Sequence, residues 1–112
     1  MAVPLYEAKA QFLRTLGHPV RIRVLELLCG GPMAVRDLLT QTCVKRSSLS
    51  QQLGVLRRAG IVASARESGS VVYSVAGSDV VALLGAAGRI LSELAAEQHE
   101  LLAQLREPLP PP

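Results

Sequence analysis

A mainly helical fold carrying one small β-hairpin is the class this sequence predicts, and three observations predict it. Apolar residues recur at helical spacing through most of the chain, and two short alternating runs flank the turn-like segment Glu67-Ser68-Gly69-Ser70. In addition, 49% of residues are apolar while only Tyr6, Phe12 and Tyr73 are aromatic, so the core must be aliphatic and rich in Leu, Val and Ala. At 112 residues the chain is expected to form a single domain over 1–107, able to bury roughly two-thirds of its unfolded surface.

The elements follow in order. From Pro4 to Leu16, Leu5, Ala8, Phe12 and Leu16 form a helical stripe, with Gly17 placed as its stop. Pro19 disfavours helical geometry at His18 and suits the first position of a second helix through Ile22, Leu25, Leu28 and Cys29, ended by Gly30-Gly31-Pro32. A short third helix, about Ala34 to Thr40, presents Val35, Leu38 and Leu39, and a loop from Gln41 to Arg46 follows. Ser47 is expected to cap a fourth helix that Gly60 closes after Ala59. Ile61, Ala63 and Ala65 then alternate with Val62, Ser64 and Arg66, and Val71, Tyr73 and Val75 with Val72 and Ser74, a hairpin pattern. From Ser78 to about Arg106 one long helix carries Val80, Leu84, Ala87, Leu91, Leu94, Gln98, Leu101 and Leu105 at alternating spacings of four and three, a heptad seam. Residues 108–112, Pro-Leu-Pro-Pro-Pro, cannot continue a helix and are expected to be a disordered tail.

The fourth helix is the most informative segment. At about 100° per residue, Leu49, Leu53 and Leu56 stack on one side while Ser47, Gln51, Gly54 and Arg58 point the opposite way. Hydroxyls, amides and a cation on one face can hydrogen-bond to base edges and phosphates, although an ordinary solvated face would look the same on this segment alone. Charge separates the two readings. Residues 1–75 carry ten cations against four acids, and residues 76–112 carry two against five. Lys45, Arg46, Arg57, Arg58 and Arg66 lie in a stretch from 45 to 66 that holds no acid, the patch a polyanion needs. Two helices with a tight connection followed by a hairpin make a winged helix-turn-helix. The long seam outruns a small core and calls for a partner helix, most simply that of a second copy.

With these elements placed, three blocks carry a family resemblance along nearly the whole chain: Leu16-Gly17-His18-Pro19-Val20-Arg21-Ile22-Arg23-Val24-Leu25-Glu26-Leu27-Leu28, then Ser48 to Val62, then Arg66 to Val75. In this order they resemble the ArsR (arsenic-repressor-like) family of bacterial winged-helix transcription regulators. The resemblance implies a homodimer joined through the first and last helices, binding an imperfect inverted repeat in double-stranded DNA and repressing until an inducer releases it. On that reading Ser47, Ser48, Ser50 and Gln51 lie closest to the bases, with Gln51 suited to adenine; Gln52 belongs to the same DNA-binding set, and Lys45, Arg46, Arg57, Arg58 and Arg66 supply phosphate contacts. Arg21 and Arg23, in the second helix, could serve structure or DNA. Leu5, Phe12, Leu84, Leu91, Leu94 and Leu101 are the expected dimer residues.

The family's usual sensors are degenerate here. Relatives that sense metals through a Cys-x-Cys arrangement carry it on the third helix, where this chain has Met33-Ala34-Val35-Arg36-Asp37-Leu38. Others use a carboxylate and histidines on the last helix, and the matching positions Gly77, Asp79, Ile90 and Glu93 include no imidazole. No metal site is therefore expected, with a weak oxygen-rich site around Glu93, Glu97, His99 and Glu100 as the remaining metal alternative. His18 is expected to cap or pack. Cys29 and Cys43, too few and too oddly spaced for a scaffold or a CxxC motif, are expected to be reduced and buried, with thiol sensing as the alternative. A partner sensor protein could supply the signal instead.

Enzyme chemistry finds little support: His18 and His99 lack an adjacent nucleophile, and no phosphate-cradling glycine loop or HExxH is present. A winged-helix module that binds proteins is the rival reading, disfavoured by the basic stretch. No window reaches the roughly 20 apolar residues that span a bilayer, and the first residues, with Glu7 and Lys9, lack a signal-peptide core, so the chain is expected in the cytoplasm.

Overall fold

The computed structural model describes residues 2–105. Contacts divide the chain into two compact units, the first ending at Val81 and the second beginning at Ala82. The expected tail at 108–112 lies outside the described residues.

The first unit begins with α1, Leu5–Leu16, started by Pro4. It does not stop on a left-handed glycine: Gly17 keeps φ −75° and ψ 54°, and the His18 N–H donates to the Leu16 carbonyl at 2.8 Å, an inverse γ-turn. That turn delivers His18 in extended geometry, so its Nδ1 accepts the Val20 N–H at 3.1 Å and caps α2, Pro19–Leu28, with Pro19 at the first position. His18 is thus a cap, as its place before proline indicates.

Past Gly31, at φ 127°, a two-residue strand the sequence reading did not anticipate, β1 (Met33–Ala34), leads into α3, Val35–Thr42. Helix α4 spans Arg46–Arg58, starting two residues earlier than a Ser47 cap would have it: Lys45 is the N-cap, with no side-chain bond, and its carbonyl accepts from Leu49 N–H at 3.0 Å. At the other end Gly60, at φ 77°, closes α4 as expected. Its N–H donates to the Arg57 carbonyl and that of Ile61 to the Leu56 carbonyl, both at 3.0 Å, a Schellman motif. A Cβ on Gly60 would meet nothing within 4 Å, so only the backbone resists substitution there. Gly60→Ala is accordingly expected to cost about 1–2 kcal/mol, the price of a left-handed alanine, measured as a lowered urea midpoint with unchanged slope.

Strands β2 (Val62–Glu67) and β3 (Ser70–Val75) form the hairpin, joined by Ser68 at φ 49° and Gly69 at φ 81°. Two positive φ values make a type I′ turn, whose twist matches the strands it joins. The sheet order is β1-β3-β2, antiparallel throughout, and Tyr73 of β3 pairs with Met33 on one side and Ser64 on the other. Among the hairpin's first residues Ile61 and Val62 are buried while Ala63 and Ala65 face out.

The core is aliphatic, as composition required: Leu16, Val24, Leu25, Leu28, Leu38, Leu49, Leu53, Leu56, Ile61 and Val62 are buried. It holds α2, α3, α4 and the sheet together. The cysteines do not join it, contrary to expectation. Each sits at a helix C-cap, Cys29 after α2 and Cys43 after α3, where the chain turns toward solvent, and both are exposed and free. The Cys29 Sγ donates to the Leu25 carbonyl at 3.2 Å; Cys43 holds a left-handed backbone at φ 57°.

Helix α5, Ser78–Leu105, starts in the first unit and supplies the described part of the second. It carries Leu83, Ile90, Leu91, Leu94 and Leu101 exposed. No helix among the described residues is long and apolar enough to cross a membrane.

Candidate nucleic-acid interface

The amphipathic pattern of α4 determines what it can offer. Its inner face is Leu49, Leu53 and Leu56, all nearly inaccessible. Opposite them Ser47, Gln51 and Arg58 are exposed; Arg46, Ser50 and Arg57 on the flank are exposed too, as is Lys45 before the helix, and Ser48 is half-buried. Because the helix begins at Arg46, the serines at 47 and 48 lie in its first turn with no capping duty. The first turn holds no acid, so its unpaired N–H groups and the positive end of the helix dipole favour an anion there.

Gln52 departs from the expected set. It is 7% exposed, and its Oε1 accepts the Arg21 Nε–H at 2.7 Å. Its carbonyl oxygen is taken up by Arg21 and its side chain is buried beside the leucine face, away from the face that could read bases. Periodicity alone could not separate it from Gln51, since the partner that holds it stands 31 residues earlier in the chain. Arg21 is thereby assigned to structure, and Arg23 pairs with Glu26 at 3.5 Å on the surface of α2.

The cations are differently disposed. Arg57 reaches toward the hairpin, its Nη1 donating to Ser64 Oγ at 3.4 Å. Arg58 folds back along α4, where its Nη1 lies 3.0 Å from the position a Cβ on Gly54 would occupy. The missing side chain at Gly54 therefore makes room for a guanidinium along the helix face. Arg66, near the hairpin tip, is exposed. Among the described residues none of Lys45, Arg46, Arg57, Arg58 and Arg66 is paired with a carboxylate, which leaves their charge available to phosphates.

The apolar residues expected at a dimer contact are also in the open. Leu5 is 70% exposed and Leu91 65%; Phe12, Leu94 and Leu101 are exposed and Leu84 is half-buried. Among the described residues no group of three or more His, Cys, Asp or Glu side chains is arranged to hold a metal.

A helix-turn-helix whose second helix shows a polar, cation-flanked face, followed by an antiparallel hairpin, defines a winged-helix DNA-binding regulator. The family model for bacterial regulatory proteins of the arsR family matches residues 18–64. The uncharacterized HTH-type transcriptional regulator Rv0081 of Mycobacterium tuberculosis is 45% identical over 104 residues, covering 92% of this chain and 91% of that protein. Its crystal structure superposes with a TM-score of 0.79 over 87% of this chain and 98% of that one. The crystal structure of the transcriptional repressor BigR from Xylella fastidiosa does so with a TM-score of 0.71 at 35% identity, covering 76% and 87%. The chain belongs to the ArsR family of bacterial transcription regulators, and regulators of this family bind DNA.

Proposed function

We propose that this protein is a repressor that binds an inverted-repeat operator as a homodimer. The observation that carries the reading is the division of α4. Three leucines and Gln52 lock one face into the core, and the opposite face offers Ser47, Ser50, Gln51 and Arg58 beside cations that no described carboxylate neutralises. Its first turn suits a phosphate, which would bring the serines and Gln51 against base edges, and Arg66 extends the charge onto the hairpin. Similarity to a named repressor supports the direction of control. The uncovered leucines of α1 and α5 support pairing with a second copy. A two-fold dimer sets its α4 helices about one DNA turn, roughly 34 Å, apart.

Release is read as independent of a resident metal, with the signal arriving through a partner sensor protein, in a protein expected to work in the cytoplasm. The exposed thiols of Cys29 and Cys43 are the second route, and a weak site around Glu93, Glu97, His99 and Glu100 the third. Isothermal titration with nickel, zinc and cobalt tests the order; tight stoichiometric binding would reverse it.

The function itself is tested by selecting duplexes from a random-sequence pool with the purified protein. A two-fold-symmetric consensus with half-site centres about 10 bp apart is expected, and no enrichment would sink the proposal. On the selected duplex, Gln51→Ala is expected to weaken binding by about 1–3 kcal/mol while leaving scrambled DNA almost unaffected. Arg58→Ala is expected to weaken both duplexes about equally and to lower the salt slope by about one. Fluorescence anisotropy on the two duplexes reads both effects, and equal losses for Gln51→Ala would remove its base-reading role.

A further inference from the structure

We infer that Arg21 is a positioning residue for DNA reading: through Gln52 it fixes the rotational setting of α4, and through the Thr15 carbonyl it ties that setting to the end of α1. The inference rests on the proposal that α4 reads DNA. Arg21 lies half-buried on α2 with no described carboxylate beside it. Its guanidinium is spent on two neutral acceptors from different helices. The Nε–H donates to Gln52 Oε1 at 2.7 Å, and Nη1 donates to the Thr15 carbonyl at 2.9 Å. The second of these is one of the carbonyls left without an intrahelical partner at the end of α1, where the dipole favours a cation.

The planar fork explains why arginine stands here. Nε and Nη1 donate in fixed, divergent directions, so one side chain can hold two acceptors at a set angle, which the single ammonium of lysine cannot do. Since guanidinium only donates, it also fixes which way the Gln52 amide is turned. Apolar burial of the α4 leucines is non-directional, whereas the Arg21–Gln52 bond is directional and sits in the sequence directly beside Gln51. With side-chain tips about 5–6 Å from the axis, a roll of about 10° displaces Gln51 by about 1 Å. A displacement of that size breaks paired contacts to a base edge while long, flexible cations keep their phosphates. Loss of Arg21 should therefore erode discrimination ahead of general affinity.

The full-length protein is tested on the duplex it enriches from a random pool and on a scrambled counterpart, with each variant held well below its melting temperature. For Arg21→Met and Gln52→Leu the ratio of the two affinities is expected to fall at least about tenfold, with affinity for the scrambled duplex within about threefold of wild type. Gln52→Glu, which still accepts from Arg21, is expected to keep the ratio within about threefold. An unchanged ratio in Arg21→Met or Gln52→Leu overturns the inference, and so does an equal fall in Gln52→Glu. Should a variant fail to fold, the wild-type protein decides: the Arg21 Nε–H is expected as a resolved, slowly exchanging signal in proton–nitrogen correlation spectra, and its coincidence with the solvent-exposed arginines overturns the inference. Failure of the wild type to enrich any duplex would instead be a failure of the DNA-binding proposal, and the spectroscopic result would stand apart from it.

Discussion

Leu56→Ala is expected to destabilise the fold by about 2–5 kcal/mol, the cost of the lost transfer energy and the cavity left behind. Leu56 is fully buried on α4, and its carbonyl also accepts the Ile61 N–H that completes the helix stop. Against a total of about 5–15 kcal/mol for a domain, the loss is a large share of what holds α4 to the core. Urea unfolding followed by circular dichroism should show it, and DNA binding should fall with the folded fraction. Leu56→Met, which conserves volume, should cost under about 1.5 kcal/mol. If Leu56→Ala unfolds like the wild type, α4 is not seated by its leucine face as described.

The second large effect concerns assembly. Leu91 and Leu94 lie on the seam of α5 with more than half of their surface exposed. On the proposed dimer, Leu91→Asp with Leu94→Asp places two carboxylates in an apolar contact and should separate the copies. Sedimentation velocity is expected to give twice the 11.9 kDa chain mass for the wild type and the single mass for the variant. Because two linked half-site contacts reinforce each other, operator affinity should drop about 10²–10⁴-fold, while the melting of residues up to Val81 changes little. A monomeric wild type, or a variant that remains paired with unchanged affinity, would remove the dimer from the account.

Much of this architecture is legible from periodicity, and the failures come from long-range partners and from cap positions. Leu49, Leu53 and Leu56 announce the buried side of α4 because burial there follows the helix period. Ser68-Gly69 announces the hairpin because a two-residue turn needs positive φ at both positions. The sequence does not separate Gln52 from Gln51, because amides at 51 and 52 look alike until Arg21 is brought beside one of them. Strand β1 is too short for an alternation to register, and its pairing with Tyr73 and Val72 is a long-range fact. The apolar character of Cys29 and Cys43 points inside, but both stand at helix C-caps that face solvent, and here the cap position outweighs the residue type.

The central claim, that the exposed side of α4 and the cations around it hold DNA with sequence preference, is tested most directly by a salt titration. Affinity of the wild-type protein is measured for its selected duplex and for a scrambled one between about 50 and 200 mM salt. The account predicts a linear fall of log affinity with log salt, with a slope of about −0.9 for each phosphate neutralised, and a preference for the selected duplex that persists across the range. Affinity that does not respond to salt, or that is the same for both duplexes throughout, would contradict it.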